Sequence, residues 1–432
     1  MNMNQYTMPN SLRTILFSMM ALGAICLGIT WFTDEHGDQV RFWSNVLHNS
    51  VFFTGIAIMA TFFMAASITA YAGWYTAFKR VFESMSSYLI PGFIIMTILG
   101  IVVFVGGNHL YHWNDISAKE DKILVGKSGF LNKYWYLFAT VLIGLAYIYL
   151  SSKLRSLSAA EESAENEENF NTHRKIRTYA AAFLPVFGFT SVVLIWQWVM
   201  SVDSHWYSTM FAWYSLASLF VAMMCLVALI LLYLRSNGYF ANLSKHHIHD
   251  VGKFIFGISV FWTYLWFSQF MLIWYANIGE ETIYFKERYE KYPVIFFLNL
   301  GINFALPFLV LLRNDNKWKK GSLSFIAIVV FLGHWLDYFL MIKPGVLHTS
   351  HELAAHHRAG HHGAEAAGHG VEHGGHAVSS IVSGFTFPGF LEVGTMLGFL
   401  GLFLYVVFSY LTKNNLSSAK DPYMQESLHH HV

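Results

Sequence analysis

A short connection between two long apolar segments, Ser201-Val202-Asp203-Ser204-His205-Trp206-Tyr207-Ser208, holds a carboxylate and an imidazole with no Lys or Arg beside them. An acid and a base at a membrane boundary can trade protons with a ligand that arrives through lipid. A second such pair, His334 and Asp337, lies inside an apolar run. Their i, i+3 spacing puts both on one helical face, where a shared ligand or a single polar cavity meets them. Counted from Leu323 at 1.5 Å per residue, they come after about 16 and about 21 Å of a roughly 30 Å hydrocarbon core. A mid-span acid costs about 2.5–3.5 kcal/mol, so its presence points to a function, with interhelical hydrogen bonding as the plain alternative.

The elements that must position these groups are set by composition. With 55% hydrophobic and only 12% charged residues, the chain has too few polar groups to cover a water-soluble surface. A window of about 19 residues finds roughly ten spans. They are placed at 14–32, 50–75, 88–106, 134–151, 179–200, 210–233, 254–276, 293–312, 323–342 and 387–411. The apolar runs are continuous and not alternating, which selects helices over a barrel. The fold class is therefore all-α, a polytopic helical bundle forming a single membrane domain over residues 1–432. The larger share of the 27 basic residues falls on the side of the amino terminus, which predicts that both termini are cytoplasmic. A net charge of +1 argues against nucleic acid as a partner.

On that map the polar residues gather toward the outer face. His48, His109, Glu280, Glu281, Gln197, Gln269 and Glu392 join Asp203, His205, His334 and Asp337 there. Taken singly, a polar residue at a span end is an ordinary interfacial one. Taken together, they predict one wet pocket that a lipid-soluble molecule can enter. Three segments read as peripheral. Residues 152–178, with Glu161, Glu162, Glu165, Glu167 and Glu168, form an acidic cytoplasmic linker, and residues 412–432 form a cytoplasmic tail. Residues 344–384 form a His-rich periplasmic loop with His348, His351, His356, His357, His361, His362, His369, His373 and His376. Its spacing is too irregular for a metal centre. The two cysteines, Cys26 and Cys225, sit in apolar runs and cannot frame an iron–sulfur cluster. Once loop and tail are set aside, His334 is the one histidine clearly inside a span, so a haem bound by this chain is not expected either.

Four strings, taken together, resemble the NrfD-like (polysulfide reductase membrane subunit-like) family, and within it the membrane subunits of bacterial alternative complex III. They are SVDSHWYSTMFAWY over 201–214, FWTYLWFSQFMLIWYANIGEET over 261–282, NFALPFLVLLR over 303–313 and HWLD over 334–337. The resemblance implies a quinone- or quinol-interacting subunit of a quinol:cytochrome c oxidoreductase in a bacterial inner membrane. It implies iron–sulfur and c-type haem subunits, a related NrfD-like membrane subunit and a terminal oxidase as partners, with menaquinone or ubiquinone as substrate. Quinol oxidation releases two protons, so the site needs a proton acceptor, a hydrogen-bond donor and an apolar slot reached from lipid. Asp203, His205, His334, Asp337, Gln269, Glu280 and His109 are the candidates for quinone binding or proton relay. The rival reading is a structural or proton-conducting subunit of the same complex.

Overall fold

The computed structural model describes residues 5–33, 39–163, 170–240, 243–361 and 384–430. Ten helices in it are long and apolar enough to cross a membrane: Asn10–Phe32, Val40–Thr69, Thr76–Val105, Lys133–Glu162, Asn171–Val202, Thr209–Ser236, Lys245–Ala276, Pro293–Leu311, Lys320–Ser350 and Phe390–Lys413. The chain is an all-α, multi-pass membrane protein, with no strand among the described residues. Ten spans bring Gln5 and Asn415 to one face, where they form an isolated bridge. We call this the terminal face and the other, which carries Asp203, the distal face.

Several helices run further than hydropathy predicts, because polar residues at their ends are satisfied within the bundle and not by water. The second span starts at Val40 instead of near residue 50. Its Ser44 and Asn45 accept hydrogen bonds at 2.7 and 2.6 Å from the fully buried Lys343 of the ninth span. Asn45 also donates to Glu392 of the tenth span, whose carboxylate is paired with Arg41 at 2.8 Å. His48, expected at a span mouth, is buried and stacks on Trp335. A hydropathy window penalises such residues wherever they sit, so it trims a helix that continues.

Two spans are irregular for reasons visible in the sequence. The third is split into Lys79–Ser86 and Leu89–Val105, restarting with Pro91 in its first turn, where a missing N–H costs nothing. In the eighth, the turn Gly301–Ala305 widens to a π-helix just ahead of Pro307, which cannot donate to the carbonyl one turn back. The first and tenth spans approach most closely at Gly23 and Gly398, where a Cβ on Gly23 would lie 2.5 Å from the Gly398 Cα. Backbone contact of this kind is how helices gain dispersion energy when lipid removes the hydrophobic drive.

The three peripheral segments differ from expectation. Helix occupies both flanks of the acidic linker, and Glu161 within it is buried against Lys79 and His173. Glu165, Glu167 and Glu168 lie outside the described residues. The ninth helix continues through residue 344 to His361, so the His-rich segment begins as helix. His362, His369, His373 and His376 lie outside the described residues. The tail after the tenth span folds back under the terminal face, with Leu416, Ser418 and Ser427 buried.

Candidate functional site

Asp337 is one of several polar side chains with no exposed surface. Four donors from three other helices converge on its two oxygens. Tyr214 Oη donates to Oδ1, as does Asn299 Nδ2 at 2.8 Å. Ser218 Oγ and Trp262 Nε1 donate to Oδ2 at 2.8 and 3.0 Å. A carboxylate offers about four acceptor positions, so this one is saturated by neutral groups. Since the Ser218 hydroxyl hydrogen points at Asp337, its oxygen is left to accept from His334 Nδ1 at 2.9 Å. That assigns the His334 proton to Nδ1 and leaves Nε2, which has no partner among the described residues, as a bare acceptor. His334 and Asp337 thus meet through one serine, as residues on a common helical face should. The i, i+4 spacing of Tyr214 and Ser218 and of Asn299 and Asn303 carries the matching signal on the facing helices. The spacing was visible in the sequence, but the pairing of helices was not.

Asp203 and His205 lie at the distal face and do not bond to each other. The absence of basic neighbours in their own segment is misleading, because partners arrive from elsewhere. Asp203 is paired with Arg288 at 2.8 Å, and His205 with Asp121 at 2.5 Å. Arg288 was not a sequence candidate, since its helix, Gly279–Lys291, reads as an ordinary charged surface element. Its guanidinium is almost wholly buried, donates to the carbonyls of Leu340, Tyr284 and Met341, and lies 3.4 Å from the centre of the Tyr284 ring. Tyr284 in turn stacks on Trp206 at 4.0 Å. Burial pushes the Asp203 carboxyl above the usual carboxylate range, against the pull of the Arg288 guanidinium. At Asp121 the hydrogen bond from His205 holds the carboxyl below that range.

Two cavities flank this segment. A polar vestibule of about 220 Å³ is lined by Asp203, His205, His112, Tyr284, Glu287 and His348. A mainly apolar slot of about 450 Å³ lies on the other side, lined by Phe130, Leu131, Trp196, Met200, Tyr207 and Lys127 among others. Ser204 and Trp206 belong to both walls, so a two-residue partition separates the spaces. Lys127 donates to the carbonyls of Ser204 and His205 at 2.8 and 2.9 Å, fixing that partition, and burial pulls its pKa down. The indole N–H of Trp196 has no acceptor among the described residues.

The expected single pocket is therefore corrected to two centres. Asp337 and His334 are closed off in the bundle, while Asp203 and His205 line the vestibule. A narrow cavity of about 10 Å³, lined by Tyr214, Gln269 and Arg288, lies between them. Gln269 donates to Ser208 Oγ at 3.0 Å. The polar series His334, Ser218, Asp337, Tyr214, Arg288, Asp203 thus runs from mid-bundle to the vestibule. His109 and Glu280 stand apart: His109 pairs with Asp115 at 3.3 Å, and Glu280 is exposed in the first turn of its helix.

No protein-family model matches the chain, and no curated protein matches it. The geometry must therefore carry the functional reading. An apolar slot beside a vestibule lined by titratable side chains suits a molecule with an apolar body and a proton-exchanging head. A saturated, enclosed carboxylate suits proton transfer or fixed electrostatics, since it leaves no room for a ligand.

Proposed function

We propose that the chain is a quinone- or quinol-interacting subunit of a respiratory quinol:electron acceptor oxidoreductase in a bacterial inner membrane. The observation that carries this reading is the thin Ser204–Trp206 wall between the apolar slot and the vestibule. A quinone ring and the start of its tail occupy the slot, with Tyr207, 62% exposed, at its edge. Lys127, in the wall of the slot, supplies a donor to a quinone oxygen. Protons cross the Ser204–Trp206 wall to His205, which lines the vestibule and is paired with Asp121, and the vestibule faces the periplasm, the side expected when the terminal face is cytoplasmic. No redox centre is assigned to this chain, so electrons pass to iron–sulfur and c-type haem partner subunits. The resemblance to NrfD-like subunits of alternative complex III points the same way and adds a related membrane subunit and a terminal oxidase as partners.

Filling the slot tests this directly. Met200→Trp is expected to weaken binding of a short-chain quinone analogue to the purified complex by about tenfold or more, since an indole takes the volume of the ring. Unchanged binding in a folded variant rules out the slot as the quinone site.

A second reading, a proton-conducting subunit without quinol chemistry of its own, is favoured by the polar series from His334 to Asp203. Under that reading Met200→Trp leaves quinone binding unaltered, while substitution of Asp337 still changes proton coupling.

A further inference from the structure

At the terminal face, Lys79 of the third span is buried between two carboxylates, Glu161 of the fourth span and Asp421 of the tail. Glu161 also binds His173 Nδ1 of the fifth span at 3.0 Å. Beneath this cluster is a cavity of about 20 Å³, room for about one water, with Ser67 of the second span in its wall. The tail covers part of it. The Tyr423 ring lies 5.4 Å from that of His173. Ser427 Oγ donates to the Trp74 carbonyl at 2.8 Å and accepts from the Ala77 N–H at 3.1 Å. His430 Nε2 lies 2.5 Å from Asp250 Oδ2.

The way the tail is held differs from the way the spans are held. Its fixing points are mainly hydrogen bonds and ion pairs, whose polar groups find replacement partners in water when the tail leaves. Leu416 and Met424 are its well-buried apolar residues. Its one helix, Met424–Leu428, is five residues long and cannot persist alone. Its contacts lie on the terminal face, at the ends of the spans. When it leaves, Lys79 keeps one carboxylate in place of two, and Glu161 and His173 meet water.

We propose that residues 414–430 are a detachable cap that controls water access to the buried Lys79–Glu161–His173 cluster at the terminal face. Docked, the cap supplies the Asp421 carboxylate and covers part of the cavity. Undocked, it opens a hydrated inlet between the second, third, fourth and fifth spans, at the end of the bundle opposite the vestibule. The cap rests on its own contacts and not on the quinone reading.

The probe is Ser67→Cys in the detergent-solubilised full chain, labelled with a charged maleimide. The native Cys26 and Cys225 are buried and report on folding by staying unlabelled. Truncation after Lys413, or Asp421→Arg in the full-length protein, is expected to raise the labelling rate at position 67 on the order of tenfold or more. An equal rate with and without the cap, in chains whose native cysteines stay protected, overturns the proposal. Hydrogen exchange in the unmodified chain is an independent measurement that stands even where the variants unfold. The Ala77 amide, bonded to Ser427, is expected to exchange together with the tail amides and faster than the cores of the spans. Exchange of Ala77 at the rate of the span cores means that the tail does not detach.

Discussion

Asp337→Leu is expected to lower the stability of the folded chain by on the order of 4 kcal/mol or more. The leucine leaves the Tyr214 hydroxyl, the Asn299 amide, the Ser218 hydroxyl and the Trp262 indole without their acceptor. A buried donor stranded in this way costs about 1–3 kcal/mol, and the closed packing around the site leaves little space for water to replace the acceptor. Asp337→Asn should be milder, about 1–3 kcal/mol by the same measure. Its remaining oxygen serves Tyr214 and Asn299, Ser218 can turn to accept from the new amide, and Trp262 is the donor left over. Thermal unfolding in detergent measures the order wild type, Asn, Leu. An Asp337→Leu chain as stable as the native one would mean that the four donors do not tie the sixth, seventh and eighth spans to the ninth. Turnover gives the second readout. If the chain takes part in the proposed quinol oxidation and the polar series carries protons, the asparagine variant slows that oxidation even where it folds.

The second large effect concerns Arg288 and Asp203. Breaking a fully buried pair typically costs about 3–5 kcal/mol; here Arg288 is buried but Asp203 is partly exposed at the vestibule, which places the cost at or below the low end of that range. Asp203→Asn is expected toward the lower end, because three backbone carbonyls and the Tyr284 face still receive the guanidinium. Arg288→Met is expected to cost a similar amount, since it leaves Asp203 beside Glu287 and strips those carbonyls of their donor. The double variant should be less destabilised than the sum of the two, with the shortfall on the order of 1–3 kcal/mol. Strict additivity in the double-mutant cycle would show that the 2.8 Å contact contributes nothing.

The spans were legible in the sequence because about twenty apolar residues in a row admit few structures. Their lengths were not, since Ser44, Asn45 and His48 are polar residues that continue a helix on the strength of partners far along the chain. The i, i+3 spacing of His334 and Asp337 revealed a shared face and hence the shared Ser218. It could not name Trp262 or Asn299, whose arrival depends on how the seventh and eighth spans pack against the ninth. Arg288 was hidden for the same reason, being 85 residues from Asp203 in a helix that looks solvated. Glu161 was misjudged by its neighbours: a run of glutamates reads as surface, and one of them turned inward to Lys79. The two cavities at residues 201–208 were beyond reach, because a void is a property of the packed whole.

The most direct test of the central claim is photolabelling of the purified complex with an azidoquinone, followed by peptide mapping. Labelling is expected in the slot walls, at residues 126–131 and 196–209, competed away by unlabelled quinone and reduced by Met200→Trp. Labelling confined to another subunit, with these two segments untouched, would contradict it.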